Sequence, residues 1–352
     1  DGSLPSGGDA MATFFGGCYG TDAREPGRIH TIFMDEKTGR LKEVSVCRDS
    51  EDPSYLAIQE NLLYAVRERK MDSRLDAYRI AKDGSLALLN SVSVPGSFVC
   101  HVGVFPDKKA VSATSYGSGI VSCCPVAKDG SLGPVSQTFR HKGSGPVVER
   151  QAGPHAHSSI FDPTGRFLLV ADLGCDALFV YGCDENDRIT PHGKIVVPPG
   201  EGPRHMVFHP TAPLLYVVGE VGNHLMSYRF DAKTGSATLL GLQPLSEGME
   251  ESTAADVHVS KDGVWLWTST RGEDTISTFA LENPASPRLV HRQASGGKGP
   301  RNFCVSESEK YLLVANMDSG TLSCFSLCDG MLQNECDKMS LPHIAFVGQW
   351  KA

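Results

Sequence analysis

The chain repeats itself. Segments 153–174 (GPHAHSSIFDPTGRFLLVADLG), 202–220 (GPRHMVFHPTAPLLYVVGE), 253–272 (TAADVHVSKDGVWLWTSTRG), 299–318 (GPRNFCVSESEKYLLVANMD) and 52–68 (DPSYLAIQENLLYAVRE) share one plan. Each runs from a Pro or small residue through an alternating apolar strand, a turn and a second apolar strand to a polar residue. A weaker copy occupies 98–117, and a seventh is split between 11–20 and 341–350. The anchors Pro53, Ser97, Pro154, Pro203, Ala254, Pro300 and Pro342 lie 44, 57, 49, 51, 46 and 42 residues apart. Further strands follow each pair, as at 223–241 and 274–292. Their turns carry Lys37-Thr38-Gly39, Lys82-Asp83-Gly84, Lys128-Asp129-Gly130 and Lys233-Thr234-Gly235, where Gly takes positive φ at little cost. Four short strands per copy at this period predict an all-β, seven-bladed β-propeller with four-stranded antiparallel blades. One such sheet cannot bury both faces, whereas a closed ring of them can. The N-terminal strand is expected to pair with the segment around Ile344–Val347 and fasten the ring.

Composition agrees. Gly 37 and Pro 21 suit turns and short strands rather than long helices. A TIM barrel or doubly wound sheet needs seven or eight helices, and almost no segment has a 3.6-residue period. With no linker of low complexity, residues 11–352 read as one domain. Residues 1–10 read as an extension that is not native if Met11 is the natural start, and Arg140–Gln151 as a long Gly-containing loop. The net charge of -8 argues against a general nucleic-acid binder, and no apolar run is long enough to span a bilayer. Eleven cysteines without framework spacing predict buried thiols in a reducing cytoplasm, and neither Cys324-x3-Cys328 nor the Cys123–Cys124 pair has zinc-site spacing.

Aligned on their turns, the copies yield two rows whose chemistry varies while the flanking apolar pattern stays constant. Ser54, Cys100, His157, Arg204, Ala255 and Arg301 stand near the start of the first strand. Glu68, Tyr116, Leu173, Glu220, Arg271 and Met317 stand at the end of the second. Such variation is expected of a site grafted onto a repeating scaffold at the mouth of the channel; solvated loop tips are the bland alternative. Arg204, Arg271 and Arg301 on an acidic chain suggest a pocket for an anion, since guanidinium binds carboxylate or phosphate through paired hydrogen bonds. The competing reading pairs Arg271 with Glu273 or Asp274. His157 and Glu220 are candidate proton-transfer groups. His155-x-His157 and His205-x3-His209 are weak metal-ligand patterns without a fixed acidic partner, so neither metal nor cofactor is expected. Asp256 and His258 either join the site or face a neighbouring blade.

At these residues the chain resembles the seven-bladed β-propeller lactonases, a family that includes propeller-type 6-phosphogluconolactonases and fungal carboxy-cis,cis-muconate cyclases. The resemblance spans Phe14-Phe15-Gly16 to Leu341-Pro342-His343. It rests on Pro154-His-Ala-His-Ser, Gly202-Pro-Arg-His-Met-Val-Phe-His-Pro210 with Glu220, Ala254-Ala-Asp-Val-His258 with Ser269-Thr-Arg-Gly272, and Gly299-Pro-Arg-Asn302. It implies catalytic roles for His157, which precedes Phe161-Asp162-Pro163, for Arg204 and Glu220, sixteen residues apart, and for Arg271. Arg301, His155, Glu68, Asp256 and His205 are expected to line the substrate site. The implied activity is hydrolysis of a small anionic sugar lactone, 6-phospho-D-glucono-1,5-lactone, in the pentose phosphate pathway of the cytoplasm. A muconate cyclase or other carboxylated-lactone enzyme, a calcium-dependent gluconolactonase and a non-catalytic scaffold are the alternatives.

Overall fold

The computed structural model describes residues 10–248 and 251–351; all of the expected N-terminal extension except Ala10 lies outside them. Seven four-stranded antiparallel sheets form a ring. Blades 1 to 6 follow chain order, with inner strands Leu56–Gln59, Val99–Val104, Ala156–Phe161, Pro203–Phe208, Thr253–Val259 and Pro300–Val305. Blade 7 takes its three outer strands from the N-terminal segment and its inner strand, Ile344–Trp350, from the C-terminal one. Thr13 pairs with Trp350 and Gly16 with Val347, so the expected closure is the one observed.

The second strand of each blade explains the ring. In blade 3, Leu168, Leu169, Val170 and Ala171 are all fully buried, so both faces of the sheet are covered. The cover comes from the neighbours. Leu169, Ala171 and Val180 of blade 3 pack on Leu215, Val217 and Tyr228 of blade 4, while Leu168, Val170 and Tyr181 pack on Val121 and Cys123 of blade 2. Seven apolar clusters correspond one to one with the seven blade interfaces. Burying one such Leu or Val is worth roughly 1.5–3 kcal/mol, and the ring repeats that gain at every interface.

Polar pins supplement this packing. The tip of the outer hairpin of a blade tucks beneath the second or third strand of the preceding one. Thr31 Oγ1 donates to the Gly84 carbonyl at 2.8 Å, Tyr64 Oη to that of Gly130 at 3.0 Å, and Trp267 Nε1 to that of Gly330 at 2.7 Å. Gly330 has φ +73, and a Cβ there would meet the Trp265 ring at 2.3 Å, so this tip admits only glycine without rearrangement.

Among the described residues the helical content is one four-residue helix, Val148–Gln151. It lies inside the stretch read from sequence as a plain loop, and it reaches the mouth of the channel. No described helix is long and apolar enough to cross a membrane. The eleven cysteines are unpaired.

Candidate functional site

A repeated irregularity builds the site. The ladder between the first and second strands slips at Val99/His101, Ala156/Ser158, Pro203/Met206, Ala254/Val257 and Pro300/Asn302. In blade 7 it slips where Gly17 and Cys18 oppose Phe346 and Ile344. Each slip leaves unpaired the residue of the first sequence row: Cys100, His157, Arg204, Ala255 and Arg301, with Ala345 in blade 7. A bulge re-aims a side chain and bends its strand. Here the bulged residues Cys100, His157, Arg204, Arg301 and Ala345 converge and, with Ser54 from the segment before the unbulged inner strand of blade 1, surround one small cavity of about 10 Å³.

The second row supplies the charges above it. Arg204 Nε donates to Glu220 Oε1 at 3.1 Å, and Arg271 Nη2 donates to the same oxygen. Arg271 therefore pairs across to blade 4 and not with Glu273 or Asp274. Arg204 Nη1 also donates to the Ala255 carbonyl at 2.6 Å, which fixes its direction. Opposite, Glu68 accepts from the Tyr19 and Ser54 hydroxyls and stands 3.6 Å from Arg301, whose guanidinium lies 5.4 Å from the centre of the Tyr19 ring.

Electrostatics sorts these groups. Burial alone would raise Glu220, but the guanidiniums of Arg271 and Arg204, with His157 and Arg150 beyond them, outweigh it and hold the carboxyl well below its usual range. Burial, with Arg204 next, holds His157 well below the ordinary imidazole value, so it is neutral at pH 7. Burial and the nearby Arg271 bring Arg204 down to about 10, still protonated at pH 7. Cys100 Sγ lies 3.9 Å from His157 Nδ1. Burial pushes this thiol up to about 12, which makes it a neighbour of the imidazole and not a thiolate nucleophile.

Beneath the mouth a ring of aromatic side chains closes the channel. Tyr55 packs on His101 at 4.3 Å and on Phe346 at 4.8 Å between ring centres, and His205 lies 5.6 Å from His157. His205 Nδ1 is 2.8 Å from Asp256 Oδ1, and His258 Nε2 is 2.9 Å from Asp256 Oδ2. Asn302 Nδ2 donates to the same carboxylate at 3.0 Å. Asp256 and His205 thus form the floor under His157. Burial alone would raise Asp256, but His258 and His205 outweigh it and hold the carboxyl far down.

His155 takes a different place from His157 although the two are separated by one residue. The bulge at His157 breaks the alternation. His155 Nδ1 bonds the Tyr116 carbonyl at 2.7 Å and its ring stacks on the Tyr116 ring at 4.4 Å, on the wall of the mouth.

Sequence reasoning missed Arg150. It extends from the short helix, and its Nη2 donates to Glu220 Oε2. The available signal was the interval of 57 residues between Ser97 and Pro154, the longest in the series. Insertions in repeat proteins gather on one face, often the binding face. Among the described residues no group of three or more His, Cys, Asp or Glu is placed to hold a metal ion.

Comparison with known proteins bears on this constellation. Residues 13–348 match the family described as lactonase, 7-bladed beta-propeller. A 6-phosphogluconolactonase of Bacillus subtilis is 32% identical over 307 residues, covering 84% of this chain and 86% of that protein. A 6-phosphogluconolactonase of Formosa agariphila is 28% identical over 318 residues, 87% of this chain and 90% of the relative. The solved structure of a periplasmic gluconolactonase from Pseudomonas aeruginosa superimposes with a TM-score of 0.90 at 26% identity, covering 97% of this chain and 99% of its own. The ring of seven blades and the family match over nearly the whole sequence lead to one conclusion: this chain belongs to the lactonase, 7-bladed β-propeller family and is an enzyme of the hydrolase class.

Proposed function

We propose that the chain hydrolyses a phosphorylated sugar lactone, 6-phospho-D-glucono-1,5-lactone, to 6-phosphogluconate. The observation that carries this reading is the charge of the mouth. Arg150, Arg204, Arg271 and Arg301 contribute +4 and Glu68 and Glu220 contribute −2, leaving +2 around a buried neutral imidazole. Such a site attracts an anion, and on a protein of net charge -8 that attraction is local. The names of the Bacillus and Formosa relatives support a phosphorylated substrate.

In the proposed reaction a water attacks the lactone carbonyl while His157 takes its proton. His157 suits this role better than Glu220, because its Nε2 has no hydrogen-bond partner among the described residues. Both oxygens of Glu220 are engaged by guanidiniums. Negative charge collects on the carbonyl oxygen, where Arg271 or Arg204 stabilises it. As the ring C–O bond breaks, the proton passes from His157 to the departing ring oxygen, leaving a carboxylic acid that ionises. Glu220 steadies the transient imidazolium and holds Arg204 and Arg271 in place. The ester is already reactive, so acid–base help of roughly 10²–10⁴ is enough, with neither metal nor cofactor. Arg301, beside Glu68, adds a cation on the opposite wall that helps to draw the anionic substrate in. A cytoplasmic location is part of this reading, and eleven free thiols favour it.

The neighbour from Pseudomonas is named a gluconolactonase, and the same cradle suits a lactone or muconate bearing a carboxylate. Proton release from freshly made phosphogluconolactone, from unphosphorylated gluconolactone and from carboxymuconate separates these readings. Preference for the phosphorylated lactone, insensitive to chelator, is expected. Turnover of muconate alone, or of no lactone, defeats the proposal.

A further inference from the structure

We infer that Arg150 is a latch on Glu220 that the anionic group of the substrate releases, and that it thereby sets the preference for a phosphorylated lactone. This deepens the reading above and rests on it. Three observations carry the inference. First, the oxygens of Glu220 are divided. Arg204 and Arg271, both held on blade strands, bond Oε1, whereas Arg150 alone bonds Oε2. Second, Arg150 is the most exposed of the four guanidiniums, at 37% against 2%, 18% and 16% for Arg204, Arg271 and Arg301. Third, the mouth is shut. Glu220, His157 and Arg204 are buried, and the axial cavity of about 10 Å³ has room for a water at most. The Tyr116 ring stands 5.4 Å from that of His157, and the Arg150 guanidinium lies against the Tyr116 hydroxyl as well as Glu220, so a sugar lactone reaches His157 only when this cover gives way.

Arg150 is the group built to move. Its neighbour Gln151 is fully buried and pins the base of the loop. Gln151 Nε2 donates to Asp176 Oδ1 at 2.6 Å and to the Leu173 carbonyl at 2.9 Å, while its Oε1 accepts from Val147 N at 3.2 Å. The loop stays and the Arg150 side chain swings. A phosphate arriving at the mouth offers a doubly charged partner of the geometry guanidinium prefers, and it competes for Arg150 with a carboxylate that already has two other cations. The exchange frees Oε2 of Glu220 beside His157 at the moment the substrate docks. A neutral lactone brings no such partner and must break the pair unaided.

The test is steady-state kinetics of the full chain and of Arg150→Gln and Arg150→Lys, on 6-phosphogluconolactone and on unphosphorylated gluconolactone. Loss of one charge-assisted contact corresponds to about tenfold or more. We expect the ratio of kcat/KM between the two lactones to fall by that factor in Arg150→Gln, chiefly through KM for the phosphorylated one, with partial recovery in Arg150→Lys. A ratio equal to that of the unaltered protein in both variants overturns the latch. If the unaltered protein turns over no lactone, the functional proposal fails on its own, and calorimetric binding of 6-phosphogluconate and gluconate still decides. Discrimination lost in Arg150→Gln supports the latch, and equal discrimination overturns it.

Discussion

At the scale of the residue, the site depends on which groups hold charge at pH 7. Glu220 is an anion shared by three guanidiniums, and His157 is a neutral imidazole whose Nδ1 faces a protonated thiol. This predicts different consequences for substitutions of similar size. His157→Gln removes the proposed proton acceptor and is expected to lower kcat by roughly 10²–10⁴ with little change in melting temperature. Glu220→Gln is expected to lower kcat and also to destabilise, because it leaves the buried Arg204 and the adjoining Arg271 without their carboxylate. Kinetics and thermal melts of both variants check this. An unaltered kcat in His157→Gln would remove it from the mechanism.

At the scale of the element, the bulged inner strand is the device that converts a repeat into a site. A regular strand would keep one side-chain alternation throughout. The slips at His157, Arg204 and Arg301 let each blade keep its apolar face against its neighbours while one residue turns to the axis. The outer hairpin tips carry the opposite constraint, being uniform in role. Gly330→Ala puts a Cβ against Trp265 at a positive φ and disturbs the pin from Trp267. A loss of about 1–3 kcal/mol follows from the strained backbone alone, and chemical denaturation measures it. Activity of the remaining folded fraction should be intact, because this tip lies at the outer edge of blade 6.

At the scale of the molecule, the ring stacks imidazoles in its axis. His101, His157 and His205 lie together and are buried. Burial is the main cause that lowers each of them, His101 and His157 well below the ordinary value and His205 to about 4. An imidazole whose folded value lies below its unfolded value of about 6.5 binds protons preferentially in the unfolded chain. Its contribution is therefore complete above that pH and declines as the pH falls through the interval down to the folded value. His258 acts in the opposite sense, since Asp256 outweighs burial and raises it, as do Asp187, raised to about 6, and Glu201, both chiefly through burial. His30, lowered by burial, sides with the three axial imidazoles, two of which are shifted furthest. The melting temperature is expected to drop between pH 7.5 and pH 5, before carboxylates such as Glu220 begin to protonate. Equal melting at the two pH values would mean that the axis is hydrated and the imidazoles titrate freely.

Much of this molecule was legible in the linear chain. The spacing of the copies, the apolar alternation and the turns at Gly84 and Gly130 determine a blade, and the copy number determines the ring, because each sheet needs a neighbour on either face. The two rows at the strand ends identify where chemistry varies, and Arg204, Glu220, Arg271, His157 and Arg301 all stand in them. What each of them touches was decided by the tertiary structure. Sequence proximity favours Glu273 or Asp274 for Arg271, yet ring closure brings Glu220 within reach from the adjacent blade. Strict alternation would put His155 and His157 on one face, and a bulge separates them. Asp256 and His205 belong to the floor because the register of each inner strand sets depth along the axis. Arg150 belongs to no repeat at all; its place over Glu220 comes from an insertion folding back across the mouth. A repeat pattern encodes local geometry and nearest-neighbour packing, whereas a site on the axis joins residues whose only common feature is their distance from the centre of the ring.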